Sequence, residues 1–526
     1  MTAILLGQSY FLRFDPKLWE AMQPYPPLGT MYAASYLRGR GYQVGLFDAM
    51  LADSEEEWAA ALDRERPRFA VLFEDNFNYL SKMCLLRMRQ AAFTMIEMAK
   101  LRGCTVILCG ADATDHAQEY LGRGADYVLL GEGEETLGEL MDRLTGKTDT
   151  PFEQILGLVW LSSDVERQSS IVNRESTIAN RQSSIANRQS PIANRQSPIA
   201  NRQSPIANRQ SSIVRTPRRP DIKDLDALPF PAWDLVDVSR YRQAWRLRHG
   251  FYSMNMVTTR GCPFHCNWCA KPIWGQRYNV RSPENVAAEM KWLKQTYHPD
   301  HIWFADDILG LKPGWIERFA ALVRDADAVI PFKCLQRADL VTGKIAAALA
   351  SAGCKTVWVG AESGSQKILD AMEKGDTVDD IHTAAARLRL NGIEVGFFLQ
   401  FGYPGETWDD IRLTLEMVRS CAPDDIGISV SYPLPGTKFF ERVKMELGDK
   451  QNWADSNDLA MLYRGPFPQH FYRVLHGRVH HEFRLRTAWR RRDWKNLLRT
   501  PYYLLGLARA ELRLRQMARA ASSTHP

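Results

Sequence analysis

Three cysteines in the run Arg260-Gly-Cys-Pro-Phe-His-Cys-Asn-Trp-Cys-Ala-Lys271 constrain this chain more than any other group of residues. Cys262, Cys266 and Cys269 have the spacing C-x3-C-x2-C. Three thiolates can hold three irons of a [4Fe–4S] cluster and leave the fourth iron open, whereas electron-transfer clusters use four cysteines. An iron with an open position can bind substrate or cofactor, by the logic that separates catalytic from structural metal sites. A zinc site needs a fourth ligand, and His265 stands too close to two of the cysteines to serve easily. A disulfide scaffold does not suit a long chain whose start, Met-Thr-Ala-Ile-Leu-Leu-Gly, reads as a strand rather than a signal peptide. These features imply a reducing, cytoplasmic setting.

Short apolar runs alternate with amphipathic segments on both sides of the cysteines. In the first block, runs near 3–6, 43–48, 68–73, 105–109 and 127–130 read as strands. Segments near 29–39, 54–64, 82–102, 116–122 and 134–145 read as helices. Such units predict an α/β fold with a doubly wound parallel sheet over residues 1–145, and any ligand at the carboxyl ends of its strands. A second block over 250–440 has strand-like runs at 255–259, 301–305, 332–337, 356–362, 394–401 and 426–431. It predicts a partial (β/α)6 barrel with its chemistry at the strand carboxyl ends. Polar residues fall there: Thr259 and Arg260, Asp306 and Asp307, Gln336 and Arg337, Glu362 and Ser363, Gln400, Ser429 and Ser431.

Residues 146–249 join the blocks. Flanking runs at 157–163 and 212–216 predict a hairpin, with an insert at 167–215 built on a seven-residue repeat such as Asn187-Arg-Gln-Ser-Pro-Ile-Ala. Pro191, Pro198 and Pro205 oppose a helix there, and the few apolar residues predict disorder. Residues 217–235 form a proline-rich linker. The net charge of +6 is unevenly spread: 165–220 carries ten Arg against two Glu, and 471–526 carries thirteen Lys or Arg against three acids. The rest of the chain is net acidic, so no nucleic-acid partner is expected. No run of about 18 apolar residues exists to span a membrane. Residues 441–526 predict a basic, mostly helical region, read either as a cap over the barrel mouth or as a surface for peripheral contact with an anionic membrane.

The cysteine run, in this setting, resembles the radical S-adenosylmethionine (AdoMet, SAM) superfamily, and the resemblance covers about residues 250–440. Further matches are Phe304-Ala-Asp-Asp307, Val359-Gly-Ala-Glu-Ser-Gly-Ser365 and Phe401-Gly-Tyr-Pro-Gly-Glu-Thr407. The resemblance implies that Cys262, Cys266 and Cys269 hold the cluster and that AdoMet chelates its open iron. It implies that Asp306 and Asp307 meet the AdoMet amino group and that Glu362 and Ser363 lie near its ribose and carboxylate. Gly402, Pro404 and Gly405 would shape the backbone near adenine. The implied chemistry is reductive cleavage of AdoMet to a 5′-deoxyadenosyl radical, fed by an electron donor such as flavodoxin or ferredoxin.

Gln23-Pro-Tyr-Pro-Pro-Leu-Gly-Thr30 and the stretch from Gly110 to Glu134 resemble the cobalamin-binding domain that precedes many such barrels. The group pointed to contains class B methyltransferases and anaerobic Mg-protoporphyrin ester cyclases. The chain lacks the Asp-x-His-x-x-Gly motif, and its third strand ends in Phe73-Glu-Asp-Asn76 rather than a small hydroxyl residue. Three readings follow: cobalamin-dependent methylation or oxidative cyclisation at an unactivated carbon; a radical enzyme without cobalamin, doing rearrangement or dehydrogenation; and an iron–sulfur redox sensor without turnover. The substrate is expected to be a small or lipid-like molecule. Cys84, Cys104, Cys109, Cys334, Cys354 and Cys421 read as core residues, with no second cluster array.

Overall fold

Two parallel sheets organise the chain, in a computed structural model that describes residues 3–77, 85–161, 213–269, 274–448, 453–454 and 459–523. The repeat at 167–212 and Cys84 lie outside the described residues. In the first sheet β1 (Ile4–Gly7), β2 (Val44–Phe47), β3 (Phe69–Phe73), β4 (Thr105–Cys109) and β5 (Tyr127–Leu129) pair in parallel in the order 2-1-3-4-5. Period-2 alternation divides each strand between two helix layers. Ile4 and Leu6 pack with Ala33, Leu37 and Leu140, while Leu5 packs with Trp58, Met95 and Ile96.

The expected hairpin forms from β6 (Leu158–Leu161) and β7 (Ile213–Arg215), but it is not a free-standing connector. β6 pairs antiparallel with β5. The first structural unit therefore runs past residue 145, because the hairpin covers a strand edge that would otherwise present unpaired backbone groups.

The second sheet is a half-barrel. It begins with β8 (Ser253–Met256); a small antiparallel pair, β9 (Thr259–Arg260) and β10 (Asn279–Val280), follows outside it. The sheet continues with β11 (His301–Phe304), β12 (Phe332–Gln336), β13 (Cys354–Glu362), β14 (Glu394–Phe401) and β15 (Asp425–Val430). All six are parallel and neighbours in chain order, as successive right-handed βα units require. Val357, Val359 and Ala361 of β13 are buried under helices, and the alternate residues Thr356, Trp358 and Gly360 line the concave side. β8 starts and ends earlier than expected, since Thr258 and Thr259 leave the sheet to bond Asp306.

One hydrophobic core spans both sheets, taking in Tyr10, Leu28, Met31 and Phe77 from the first block and most of the barrel. Residues 23–27 carry that contact. The Trp245 indole N–H donates to the Pro24 carbonyl (2.7 Å), and the Asn255 amide donates to the Pro26 carbonyl (3.0 Å). Between them Tyr25 enters the barrel, with its ring 4.8 Å from Trp303 and its hydroxyl bonded to Ser253.

The C-terminal region is helical, as expected, and its position is specific. Met461 and Tyr472 touch the loop at Gly402, on the barrel mouth. From there the helix Gln469–Arg491 runs down the flank until Arg490 donates to the carbonyls of Ala422 and Pro423, just before β15. The helix Thr500–Ser523 packs back along it. Trp489, Trp494, Leu498, Tyr502, Leu505 and Leu512 are exposed, since among the described residues no further layer covers this flank; Leu514 is buried. Among the described residues no helix is long and apolar enough to cross a membrane.

Glu74 fills the point where the strand order of the first sheet reverses. Both its carboxylate oxygens accept from the Ser9 N–H (3.1 Å), and its methylenes lie where a Cβ on Gly110 would stand, at 2.8 and 2.9 Å. Burial pushes its pKa up to about 7 against the lowering effect of the Ser9 bonds; Asp112 and Asp75 raise it further. A carboxyl whose folded pKa is raised stabilises the fold at low pH and loses that contribution as pH climbs to 7. The loss by pH 8 is up to about 3 kcal/mol. Glu74→Gln keeps an acceptor for Ser9 without the ionisation. Its urea midpoint, relative to the wild type, is expected to be higher at pH 8 than at pH 5.

Candidate functional site

The loop that carries the cysteines is anchored before its first cysteine. Asp306, just past β11, accepts from the N–H groups of Thr258 and Thr259 (both 2.7 Å) and from their hydroxyls (2.9 and 3.0 Å). Burial raises its pKa to about 6, against these lowering hydrogen bonds. Gly261 follows with φ +81°, and a Cβ there would lie 2.3 Å from the Arg277 carbonyl oxygen, so the turn requires glycine.

Asn267 fastens the far side. Its N–H donates to the Met372 carbonyl (3.0 Å), its amide donates to Ala371 (2.8 Å), and its side-chain oxygen accepts from the Tyr403 hydroxyl (2.8 Å). The Cys269 N–H reaches the Cys266 carbonyl (3.3 Å). None of the three thiols is in a disulfide. Among the described residues, no three His, Cys, Asp or Glu side chains converge as tightly as a single ion requires.

Charge gathers at Cys266. Its sulfur accepts from Arg337 (3.9 Å), whose guanidinium lies 3.8 Å over the Phe264 ring and also donates to the Lys374 carbonyl (2.8 Å). Lys374 pairs with Glu362 (3.3 Å), and both are buried. Glu362 has φ +55° at a register shift in β13; this left-handed backbone is strained for a non-glycine residue and is held by its surroundings. Beside them Asp376 is buried with neither carboxylate oxygen hydrogen-bonded, and burial lifts its pKa to about 6 despite Lys374 and Arg337. Arg337 and Lys374 place positive charge beside this sulfur, where an anionic thiolate–iron cluster would stand. Orphaned acceptors at Asp376 and at Gln400 Oε1 leave polar capacity for a bound molecule. The residues present therefore fit a cluster with a polar ligand.

The loop after β14 is shaped from behind. The Gly402 N–H donates to Glu406 (2.7 Å), the Tyr463 hydroxyl donates to the Gly402 carbonyl, and Gly402 takes φ +86°. Burial lifts Glu406 to about 8, against the Gly402 bond. Gly405 also has positive φ, at +85°, in open space. Ser363 shares a hydrogen bond with Thr414 (3.2 Å).

Arg260 ties this site to the first sheet. It is buried, bonds Glu134, the first residue of the helix Glu134–Leu144, at 2.6 Å and lies 3.4 Å from Glu132 on the loop after β5. Burial lifts Glu132 to about 7, against the lowering effect of Arg260. Gly29, Phe73, Asn76 and Trp274 line the same crevice, whose cavity measures about 10 Å³. Asn76 Oδ1, at the end of β3, is buried in this crevice without a hydrogen-bond partner, so the crevice has capacity for a donor on a bound molecule. Its volume is below that of ordinary small-molecule sites, so a macrocycle requires Phe77 and Trp274 (stacked at 5.0 Å) to part.

The sequence-derived candidates converge only in part. Cys262, Cys266, Cys269, Gly402, Pro404 and Gly405 lie on loops at one end of the half-barrel, with Glu362 at the last position of β13 beside them. The acid pair divides: Asp306 turns inward to its four donors, and Asp307 is exposed. Ser363 is fully buried. Asn267, Lys374, Asp376 and Glu406 were not singled out from sequence; only the position of Asn267 between two ligands could have flagged one of them. Arg281 is structural, bonded to Glu289, Asn285 and Val257. Cys104, Cys109, Cys334, Cys354 and Cys421 are buried.

Comparison with known proteins agrees with this architecture. The family model for the radical SAM superfamily matches residues 256–418, and that for the B12 binding domain matches residues 19–141. An uncharacterized methyltransferase of Pyrococcus horikoshii is 29% identical over 227 residues, 43% of this chain and 48% of its own length. The anaerobic magnesium-protoporphyrin IX monomethyl ester cyclase of Synechocystis sp. is 26% identical over 374 residues, 70% of this chain and 63% of its own. The chain spans about half the length of the curated relatives it matches. The cobalamin-dependent radical enzyme OxsB superposes with TM-score 0.59 at 16% identity, covering 80% of this chain and 52% of OxsB. The methyltransferase TsrM from Kitasatospora setae gives 0.58 at 16%, covering 82% and 75%. These likenesses are of fold. The chain carries a B12-binding domain ahead of a radical SAM domain.

Proposed function

We propose that this protein is a cobalamin-dependent radical SAM enzyme that methylates an unactivated carbon of a small molecule or closes a ring there. One observation carries the reading. Arg260 stands two residues before the first cysteine and bonds Glu134 in the B12-domain crevice, so the two cofactor sites face each other across one side chain. When bound, the cluster and AdoMet supply a carbon-centred radical and cobalamin supplies a methyl carrier.

The chain's own residues prepare that chemistry. Cys262, Cys266 and Cys269 hold the cluster, and Arg337 and Lys374 offset the negative charge of the thiolates. Asp306 fixes the approach of the loop and Asn267 fixes its exit. Asp307, Glu362, Ser363 and the backbone from Gly402 through Pro404 to Gly405 are assigned to AdoMet. Glu406 and Tyr463 keep that backbone in shape from behind. A flavodoxin- or ferredoxin-type donor supplies the electron.

The exposed Trp494, Leu498 and Tyr502, interleaved with Arg492, Lys495 and Arg499, fit an anionic membrane surface. The full chain is expected to co-sediment with phosphatidylglycerol vesicles and not with phosphatidylcholine vesicles, and a Trp494→Glu, Leu498→Glu pair to abolish this.

Anaerobic reconstitution is expected to load about four irons per chain. Protein from cobalamin-fed cells is expected to retain cobalt near stoichiometry and, once reduced, to form 5′-deoxyadenosine from AdoMet. Replacing all three cysteines with alanine should remove the iron and the 5′-deoxyadenosine while leaving the far-UV circular dichroism unchanged. Iron retained by that variant, or a loaded wild type that leaves AdoMet intact, counts against the reading; absent cobalt counts against its cobalamin part alone.

A further inference from the structure

The concave side of the half-barrel carries a lysine and an aromatic wall that no step above uses. Lys333, on β12, projects into the lumen between two rings, 5.6 Å from Tyr25 and 5.4 Å from Trp303. Among the described residues its ammonium makes no hydrogen bond or ion pair, so its only close partners are aromatic faces. Two other titratable groups bear on it. Asp425, at the foot of β15, favours its charged form, and His301, at the foot of β11, is held neutral by burial. Burial lowers the pKa of Lys333 to about 8, which leaves it mainly cationic at neutral pH.

Higher on the same side, Trp358 and Phe398 form a platform. Trp358 lies over its cross-strand partner Gly396, where a Cβ would meet its ring at 2.5 Å. Phe398 lies over Gly427, its partner on β15, where a Cβ would stand 3.0 Å from the ring. The glycines let both rings lie flat on the sheet, stacked at 4.7 Å and 26°. Phe398 is 39% exposed, so the outer face of the platform is open to the lumen. A large exposed aromatic surface beside a cation that makes no direct hydrogen bond or ion pair among the described residues has the composition of a ligand site rather than a packed core.

We propose that this lumen binds a flat, unsaturated carboxylic acid, with Lys333 taking the carboxylate and Trp358 and Phe398 stacking on the conjugated face. The assignment rests on the radical chemistry proposed above and names the substrate class of that site. Strand geometry adds a ruler. Lys333 lies near the start of β12 and Arg337 follows just past its carboxyl end, about 13 Å along the chain at 3.3 Å per residue. Arg337 touches Cys266, a cluster ligand. A substrate anchored at Lys333 would therefore extend along β12 toward the cysteine loop.

The test is direct binding of 1-pyrenebutyrate and its neutral counterpart 1-pyrenebutanol to the reconstituted full chain, read by pyrene fluorescence anisotropy. The acid is expected to bind more tightly than the alcohol by about tenfold or more, the worth of a hydrogen bond to a charged group. Lys333→Met is expected to bring the acid down to the affinity of the alcohol, Lys333→Arg to preserve the preference, and Trp358→Ala to weaken both probes. Equal affinity of the two probes for the wild type, absence of binding, or a preference that survives Lys333→Met overturns the proposal. Binding is read without turnover, so a failure here leaves the radical reading standing, and a failure to cleave AdoMet leaves this one standing.

Discussion

Asp306 leaves β11 pointing into the protein and meets four donors from Thr258 and Thr259. A buried carboxylate without such partners would be prohibitively costly, and with them it becomes a rigid fixture. The fixture draws the chain out of β8 and into the short pairing of β9 with β10. That exit aims Arg260 at the first sheet and starts the cysteine loop at a fixed point. Asn267 and Tyr403 then need only hold the other side. The cluster loop is thus a bridge with two abutments, and the stronger stands before the first ligand.

The same economy appears at the join between the two sheets. Residues 23–27 present carbonyls to Trp245 and Asn255 and send Tyr25 into the barrel, where it forms half of the aromatic surround of Lys333. The first sheet therefore contributes to both ends of the barrel: Glu134 and Glu132 near the mouth, Tyr25 near the floor. A substrate in the lumen would touch both halves of the chain.

Much of this was legible in the sequence, for definite reasons. Buried parallel strands read as apolar runs, and their ends are marked by the shift to polar residues; so both sheets and the placement of the cysteines just after the first barrel strand could be read. Pairings across the chain were not legible. Arg260 and Glu134 are 126 residues apart, and nothing local to either announces the other. The split of Asp306 from Asp307 depends on which side chain β11 turns inward. Lys333 looks like an ordinary strand residue until barrel curvature decides that its face is concave. The exposed tryptophans of the C-terminal hairpin follow the same rule: an amphipathic pattern reports an apolar side, and only the tertiary arrangement reports whether anything covers it.

The continuous core has a consequence for how such a protein can change over generations. Tyr10, Leu28, Met31 and Phe77 of the first block share one apolar cluster with Tyr252, Met254 and Phe304 of the second. Independent domains meet over modest, more polar faces and can be exchanged by recombination. Here a crossover at the linker would strip apolar surface from both parents at once, and a borrowed barrel would arrive without the tyrosine in its floor. The two halves are bound to descend as a single unit, and new substrates must be found by substitution within the lumen rather than by trading one half for another.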